Sequence, residues 1–576
     1  MRPILCAVIV LLLLPMKAPN DVARRRALDP AELELPPGFA IEIHARGLSG
    51  PRHMAFSPTG VLFVSETGAG RIRAIPEANR LETFATGLRQ PHGLAFRDQD
   101  LYVAENHRIA VFRNSTNPSL RGDTPQFLAD LPAGGGHSTR SLAWTADGKL
   151  MATAGSSCNV CNETDQRRAT AMRFDPDGWR MQIFSRGLRN SVGIAVHPLT
   201  GDVWTVDNGR DNIGEDLPVE EINILREGAD YGWPRCHGSR LRNPEYPTAD
   251  CSATSAPELE MQAHSAPLGI GFYTGEMFPA RYLNDAFVAF HGSWNRNEPT
   301  GYRVARVLAS SGRAVGLEDF LSGFLRAGTT SGRPVGVATG TDGALYVSDD
   351  SNGVIYRIRY TGPRLNPEGA VSAAAGSIGA APGSLVSIYG RNLKTQPLAA
   401  SSLPLPLSLE DVTVSLNGRR IPLHYAGPGQ VNVQIPFGVQ GRLPLALTNG
   451  VTTDVMEIEI RPTAPAIFTQ DQSGSGAIIA RSAAVEIFCT GLGEVEPPVA
   501  AGAAAPVSPL ALVVRSVTVT IDGQNAPVTF AGLAPGYAGL YQVNAMIPSE
   551  ARRGPRVSVT VSAGGATSNV VETILP

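Results

Sequence analysis

Lysine is almost missing from this chain of 576 residues, occurring only at positions 17, 149 and 394. The net charge is −3, with no basic block and no acidic tail. That excludes the positive footprint that nucleic acid or an anionic membrane surface would need. Beyond the N-terminus no apolar run is long enough to span a bilayer. From about Phe39 to Tyr360 no repeated copy reads as a convincing amphipathic helix either. With 43% hydrophobic and 18% charged residues, the chain has a globular composition and excludes long disorder.

Cysteine is also scarce, at six residues. Cys6 lies in the apolar run Ile4 to Leu14, which follows Met1-Arg2 and stops at Pro15. This is the length of a signal-peptide core, too short for a membrane span, so residues 1–18 are expected to be a removed export signal. Export permits disulfides. Cys158 and Cys161 form a C-x-x-C with no following His, against haem attachment, and without a second C-x-x-C to complete a zinc site. They read as a local structural disulfide, and Cys236 and Cys251 bracket a loop that a disulfide could clip; spacing alone leaves the pairing among the four open. Cys489, in the apolar run Val485 to Cys489, is expected to be a buried free thiol.

What the chain has in quantity is glycine (61) and proline (45), the punctuation of short strands. From about Phe39 to Tyr360 a two-strand pattern recurs. It reads Pro51-Arg-His-Met-Ala-Phe56 with Leu62-Phe-Val-Ser-Glu66, then Pro91-His-Gly-Leu-Ala-Phe96 with Leu101-Tyr-Val-Ala-Glu105. Further copies start at Ser141, Val192, Leu268 and Pro334. Six copies predict a six-bladed β-propeller over residues 30–360, because a single blade cannot bury both faces of its sheet. After Gly362-Pro363 a longer repeat begins. Val386-Ser-Ile-Tyr-Gly390 is echoed by Val485-Glu-Ile-Phe-Cys489, and Gln430-Val-Asn-Val-Gln-Ile-Pro436 by Gln542-Val-Asn-Ala-Met-Ile-Pro548. A period near one hundred residues predicts two Ig-like β-sandwich domains, 363–468 and 469–576. The expected fold class is therefore all-β. With His424 as their only histidine, the two modules are expected to be spacers, or to make surface or matrix contacts.

Architecture does not decide function, but four stretches are chemically pointed. The longest runs from Gly187-Leu-Arg-Asn190 through Asp207-Asn-Gly-Arg-Asp211 and Glu220-Glu-Ile-Asn223 to Asp230-Tyr-Gly-Trp-Pro234. The others are Gly134-Gly-Gly-His137, His291-Gly-Ser-Trp-Asn-Arg296 and Gly332-Arg-Pro334. Together they resemble the soluble glucose and sorbosone dehydrogenases that use pyrroloquinoline quinone (PQQ), over roughly residues 40–360.

The resemblance implies oxidation of a sugar or sugar aldehyde. His137 matches the histidine that takes the substrate proton, a natural role for a near-neutral imidazole, while hydride passes to the quinone. Arg189 matches the arginine set against the quinone oxygens, where cationic donors stabilise developing charge, with Asn190 beside it. Calcium in the family sits on two consecutive backbone carbonyls, which match Gly209 and Arg210, and acts as a Lewis acid. PQQ carries three carboxylates, and Arg333 lies where the family places arginines for them. The sequence departs at a lysine that glucose-oxidising members use, because the corresponding stretch offers Trp294 and Arg296 instead. Gln90 or His92 is a further candidate cofactor contact. The implied electron acceptor is external, a cytochrome or a quinone.

Two other classes fit a propeller. Glu66, Glu105, Asp207 and Asp349 end successive strands and could converge on a metal, as in a lactonase. A non-catalytic binding propeller would also suit the appended modules.

Overall fold

The computed structural model describes residues 24–115, 124–470 and 474–576. The apolar run read as an export signal lies outside them, and among the described residues no helix is long and apolar enough to cross a membrane. The chain divides into two compact units, the second running Thr361–Pro576.

The first unit is built from six four-stranded antiparallel sheets. Blade 1 comprises Pro51–Phe56, Leu62–Glu66, Arg71–Glu77 and Arg80–Ala85. Blades 2 and 3 begin at Leu94–Arg97 and Arg140–Trp144, and blades 4 and 5 at Ser191–Val196 and Pro267–Phe272. Blade 6 begins at Pro334–Thr339, followed by Leu345–Asp349 and Val354–Tyr360. Its fourth strand comes from the start of the unit. Phe39–Ala45 pairs with Val354–Tyr360, Phe39 opposite Tyr360. The first strands of successive blades touch around the ring, including Pro334–Thr339 against Pro51–Phe56.

Apolar clusters straddle neighbouring blades. Phe63 and Ile72 of blade 1 meet Leu94 and Val103 of blade 2. Trp204 and Ile222 of blade 4 meet Ile270 and Val288 of blade 5. Ala45 and Tyr346 of blade 6 meet Met54 and Val64 of blade 1. A fully buried Val, Leu, Ile, Phe or Met contributes about 1.5–3 kcal/mol, and the last cluster joins blade 6 to blade 1 and so closes the ring.

The second unit has two apolar cores. One lies between a sheet containing Leu385–Arg391 and Gln430–Gln434 and a sheet containing Val412–Leu416 and Gly441–Asn449. The other lies between a sheet containing Ala484–Thr490 and Tyr541–Met546 and a sheet containing Val517–Ile521 and Gly554–Ala563. The internal repeat is kept in register: Val386 faces Val433, and its counterpart Val485 faces Ala545. Even the local side-chain bond repeats, Gln430 to Asn432 at 2.7 Å and Gln542 to Asn544 at 2.8 Å. Cys489 is a buried free thiol in the second core.

Candidate functional site

In each blade the start of the first strand pairs with the end of the second. Pro51 lies opposite Glu66, Ser191 opposite Asp207 and Pro334 opposite Asp349. Segments entering first strands and segments leaving second strands therefore share one face of each blade. All the site residues expected from the sequence lie on those segments.

The strand-end acids have a structural task there. Glu66 accepts from the Ser49 amide (2.5 Å), and Glu105 from the Arg89 amide (2.6 Å). Asp207 takes the amides of Arg189 (2.9 Å) and Asn190 (2.6 Å), and Asp349 takes that of Arg333 (3.0 Å). Each carboxylate thus ties down the loop that enters its own blade. Blade 5 ends its second strand in Phe290, and Glu220 of blade 4 receives the Ala266 amide instead (3.2 Å). These oxygens satisfy buried backbone donors and do not form a shared cation cage.

His137 and Arg189 come together through Gly155. A Cβ on Gly155 would lie 2.7 Å from both the His137 Cβ and the Asn190 Oδ1, so only glycine lets blades 3 and 4 approach this closely. His137 Nδ1 is 2.9 Å from the Ser156 carbonyl and 2.9 Å from its hydroxyl. A carbonyl only accepts, so Nδ1 carries the proton and Nε2 is left with its lone pair. Burial, reinforced by the Arg189 charge, holds the imidazole down at about 4. It is neutral at ordinary pH.

Arg189 is buried, and every one of its donors is engaged. Nε donates to the Asn159 carbonyl (3.2 Å), Nη1 to the carbonyls of Asn208 (3.2 Å) and Gly209 (2.7 Å), and Nη2 to Asn159 Oδ1 (2.9 Å) and Asp211 Oδ2 (3.2 Å). The Gly209 amide is held by Glu220 (2.7 Å). A Cβ on Gly209 would lie 2.7 Å from Pro218 Cγ and 2.9 Å from the Val219 carbonyl. The loop is thus packed with its Gly209 carbonyl facing the guanidinium. Burial drives up the nearby carboxyls of Asp207, Glu221 and Glu220, the last to about 8. The Arg210 side chain turns away to an ion pair with Glu245.

A second group lies on blades 1, 2, 5 and 6. Arg333 donates to His291 Nδ1 (3.2 Å) and to the Tyr302 hydroxyl (3.2 Å). His291 Nε2 in turn meets Asp350 (3.0 Å), which also accepts from Arg52 (2.7 Å). The rings of His53 and His92 are 5.8 Å apart, and burial holds His53 down at about 4. The His92 Nε2 atom is buried without a partner among the described residues.

The remaining expected residues are less central. Gln90 accepts from Asn106 (2.5 Å). Trp294 is 58% exposed. Arg296 donates to the Glu215 carbonyl and to Asp216 (3.1 Å), tying down the acidic loop. Sequence reasoning missed Ser156, Asn159, Arg52 and Asp350. Only Asn159 carried a signal, since it lies inside the C-x-x-C. That motif is a Cys158–Cys161 disulfide, and Cys236–Cys251 is a second.

Comparison with known proteins places the propeller in a family. A relative from Borreliella burgdorferi of uncharacterised role is 32% identical over 346 residues, covering 57% of this chain and 91% of that protein. A pyrroloquinoline quinone-dependent sugar dehydrogenase of Hypocrea jecorina is 24% identical, covering 58% of this chain and 90% of that one. Among solved structures, the calcium structure of the Trichoderma reesei Carbohydrate-Active Enzymes Family AA12 protein matches with a TM-score of 0.51 at 21% identity, over 59% of this chain and 99% of that chain. The family model described as TrAA12-like matches residues 33–361, the whole propeller and more than half of the chain, which therefore belongs to the TrAA12-like family.

Proposed function

We propose that the propeller is a PQQ- and calcium-dependent oxidoreductase acting on a sugar hydroxyl or sugar aldehyde. The observation that carries this reading is the pairing of His137, neutral with Nε2 unprotonated, with a cationic Arg189 beside the Gly209 carbonyl. When bound, the quinone supplies the hydride acceptor and calcium polarises its carbonyl.

The chain's own residues supply the rest. His137 Nε2 takes the proton from the substrate, with Ser156 holding the tautomer. Gly209 and Arg210 offer neutral carbonyl oxygens of the kind calcium prefers. Arg189 Nη1 already occupies the Gly209 carbonyl, so a cation held there would share that oxygen with a guanidinium, and a carboxylated quinone would supply the balancing negative charge. Arg333 and Arg52 add cationic donors on the opposite blades, with Asn190, Gln90, Trp294 and Arg296 as further cofactor contacts. The family likeness supports the sugar class, since the Hypocrea jecorina relative is a sugar dehydrogenase. Export, an external cytochrome or quinone as acceptor, and Ig-like spacer or adhesive roles for residues 363–468 and 469–576 belong to the same proposal.

The test is titration of metal-free protein with PQQ, with and without calcium, followed by aldose turnover with an artificial acceptor. Quinone absorbance changes that chelator abolishes are expected. Tight calcium binding without any affinity for PQQ would instead favour a hydrolase.

A further inference from the structure

The C-x-x-C loop lies against the guanidinium that the proposed chemistry depends on. Asn159, between the two bonded cysteines, uses its side-chain oxygen twice, accepting from Arg189 Nη2 (2.9 Å) and from the Asp211 amide (2.9 Å). Its amide nitrogen donates to the Asp211 carbonyl (3.1 Å). Its backbone carbonyl accepts from Arg189 Nε (3.2 Å) and from the Trp233 indole (3.2 Å). One residue thus fixes both the Nε–Nη2 edge of Arg189 and the end of the 207–211 loop.

We propose that Asn159 is a positioning residue for Arg189, held in place by the Cys158–Cys161 disulfide. The guanidinium is pinned along Nε and Nη2, and only its Nη1 corner rests on the Asn208 and Gly209 carbonyls. A cation held at Gly209 would compete only for the Nη1–Gly209 bond, while Nε and Nη2 would stay in register on Asn159. The disulfide has a reason to be here, because a four-residue ring limits the backbone freedom of the residue within it. The same loop reaches the proposed base, since the Ser156 hydroxyl donates to the Cys158 carbonyl (2.7 Å) and lies 2.9 Å from His137 Nδ1.

This inference rests on the functional reading above only for its ligand, so the test has one arm that needs no ligand. In metal-free protein, amide hydrogen exchange at Asp211 is measured in wild type, Asn159→Ala, Asn159→Asp and the Cys158→Ser/Cys161→Ser double variant. Exchange about tenfold faster in the Ala and double variants is expected, with strand Val203–Asp207 unchanged. Asn159→Asp, which keeps both acceptor bonds, restores protection. In the second arm PQQ with calcium is titrated into each protein. Affinity is expected to fall about tenfold to hundredfold in Asn159→Ala, the effect of losing a charge-assisted hydrogen bond, and by less in Asn159→Asp. Unchanged Asp211 exchange overturns the proposal, as does wild-type PQQ affinity in Asn159→Ala. If the wild type binds no PQQ, the functional reading fails, and the exchange arm still decides the clamp.

Discussion

Gly155→Ala probes the contact between blades 3 and 4 on which the site depends. The new Cβ would lie 2.7 Å from the His137 Cβ, 2.7 Å from Asn190 Oδ1 and 3.4 Å from the Arg189 carbonyl. Carbon atoms pack at about 3.5–4.0 Å, so His137 must retreat by about 1 Å or the two blades must part. Neither neighbour can move freely. His137 is held through Nδ1 by Ser156, and the Asn190 backbone is held by Asp207 at 2.6 Å. Overpacking of this kind costs about 1–3 kcal/mol, which lowers the unfolding midpoint by a few degrees. A displacement of about 1 Å at a reacting group costs on the order of 10²-fold in rate. The assay is sugar turnover with PQQ, calcium and an artificial acceptor, with thermal unfolding measured alongside. Gly316→Ala is the control, because its Cβ meets only the Leu308 side chain, Cδ1 at 3.4 Å and Cγ at 3.9 Å, ordinary contacts. A Gly155→Ala protein with wild-type turnover and midpoint would refute the reasoning.

His137→Ala should lower turnover by about 10²–10⁴ while PQQ affinity and thermal stability change little; a fully active variant removes this residue from the mechanism. Arg189→Ala should weaken PQQ affinity as well as turnover, and equilibrium titration separates the two variants. In metal-free protein, stability should fall as pH rises from 6.5 to 8. Glu220, raised to about 8, stays protonated in the fold while its unfolded form is ionised, so the native state binds the extra proton. That amounts to about 2 kcal/mol over the interval, and denaturant titration at the two pH values reads it. Glu220→Gln should flatten the slope, at the cost of one acceptor for the Gly209 or Ala266 amide. A protein ending at Tyr360 should unfold cooperatively, because the blade-6 sheet is complete at that residue; loss of cooperative unfolding would show that the propeller depends on the second unit.

Period and pattern determined the strands. Leu62–Glu66, Val203–Asp207, Ala286–Phe290 and Leu345–Asp349 stand where the repeats put them, because alternating apolar residues between turn formers have one stable outcome. The repeated segments of the second unit likewise pair in one register, because a slip by one residue would turn their valines outward. His137, Arg189, Gly209 and Arg333 were named through the family resemblance, and the structure sets Arg189 against the Gly209 carbonyl and within electrostatic reach of His137. Only the tertiary structure decided that Phe39–Ala45 completes blade 6, since a pairing between residues more than three hundred positions apart leaves no local trace. It also decided that Glu66, Glu105, Asp207 and Asp349 are spent on backbone amides. An acid that holds a loop and an acid that holds a metal look the same until their partners are visible. Arg296 was singled out by its charge, and only the structure shows that its donors also reach Glu215, Asp216 and the Glu298 carbonyl. Asn159 shows the reverse. The C-x-x-C drew attention to its loop but not to the five hydrogen bonds of Asn159, because every partner arrives from blade 4, 30 to 74 residues further along the chain.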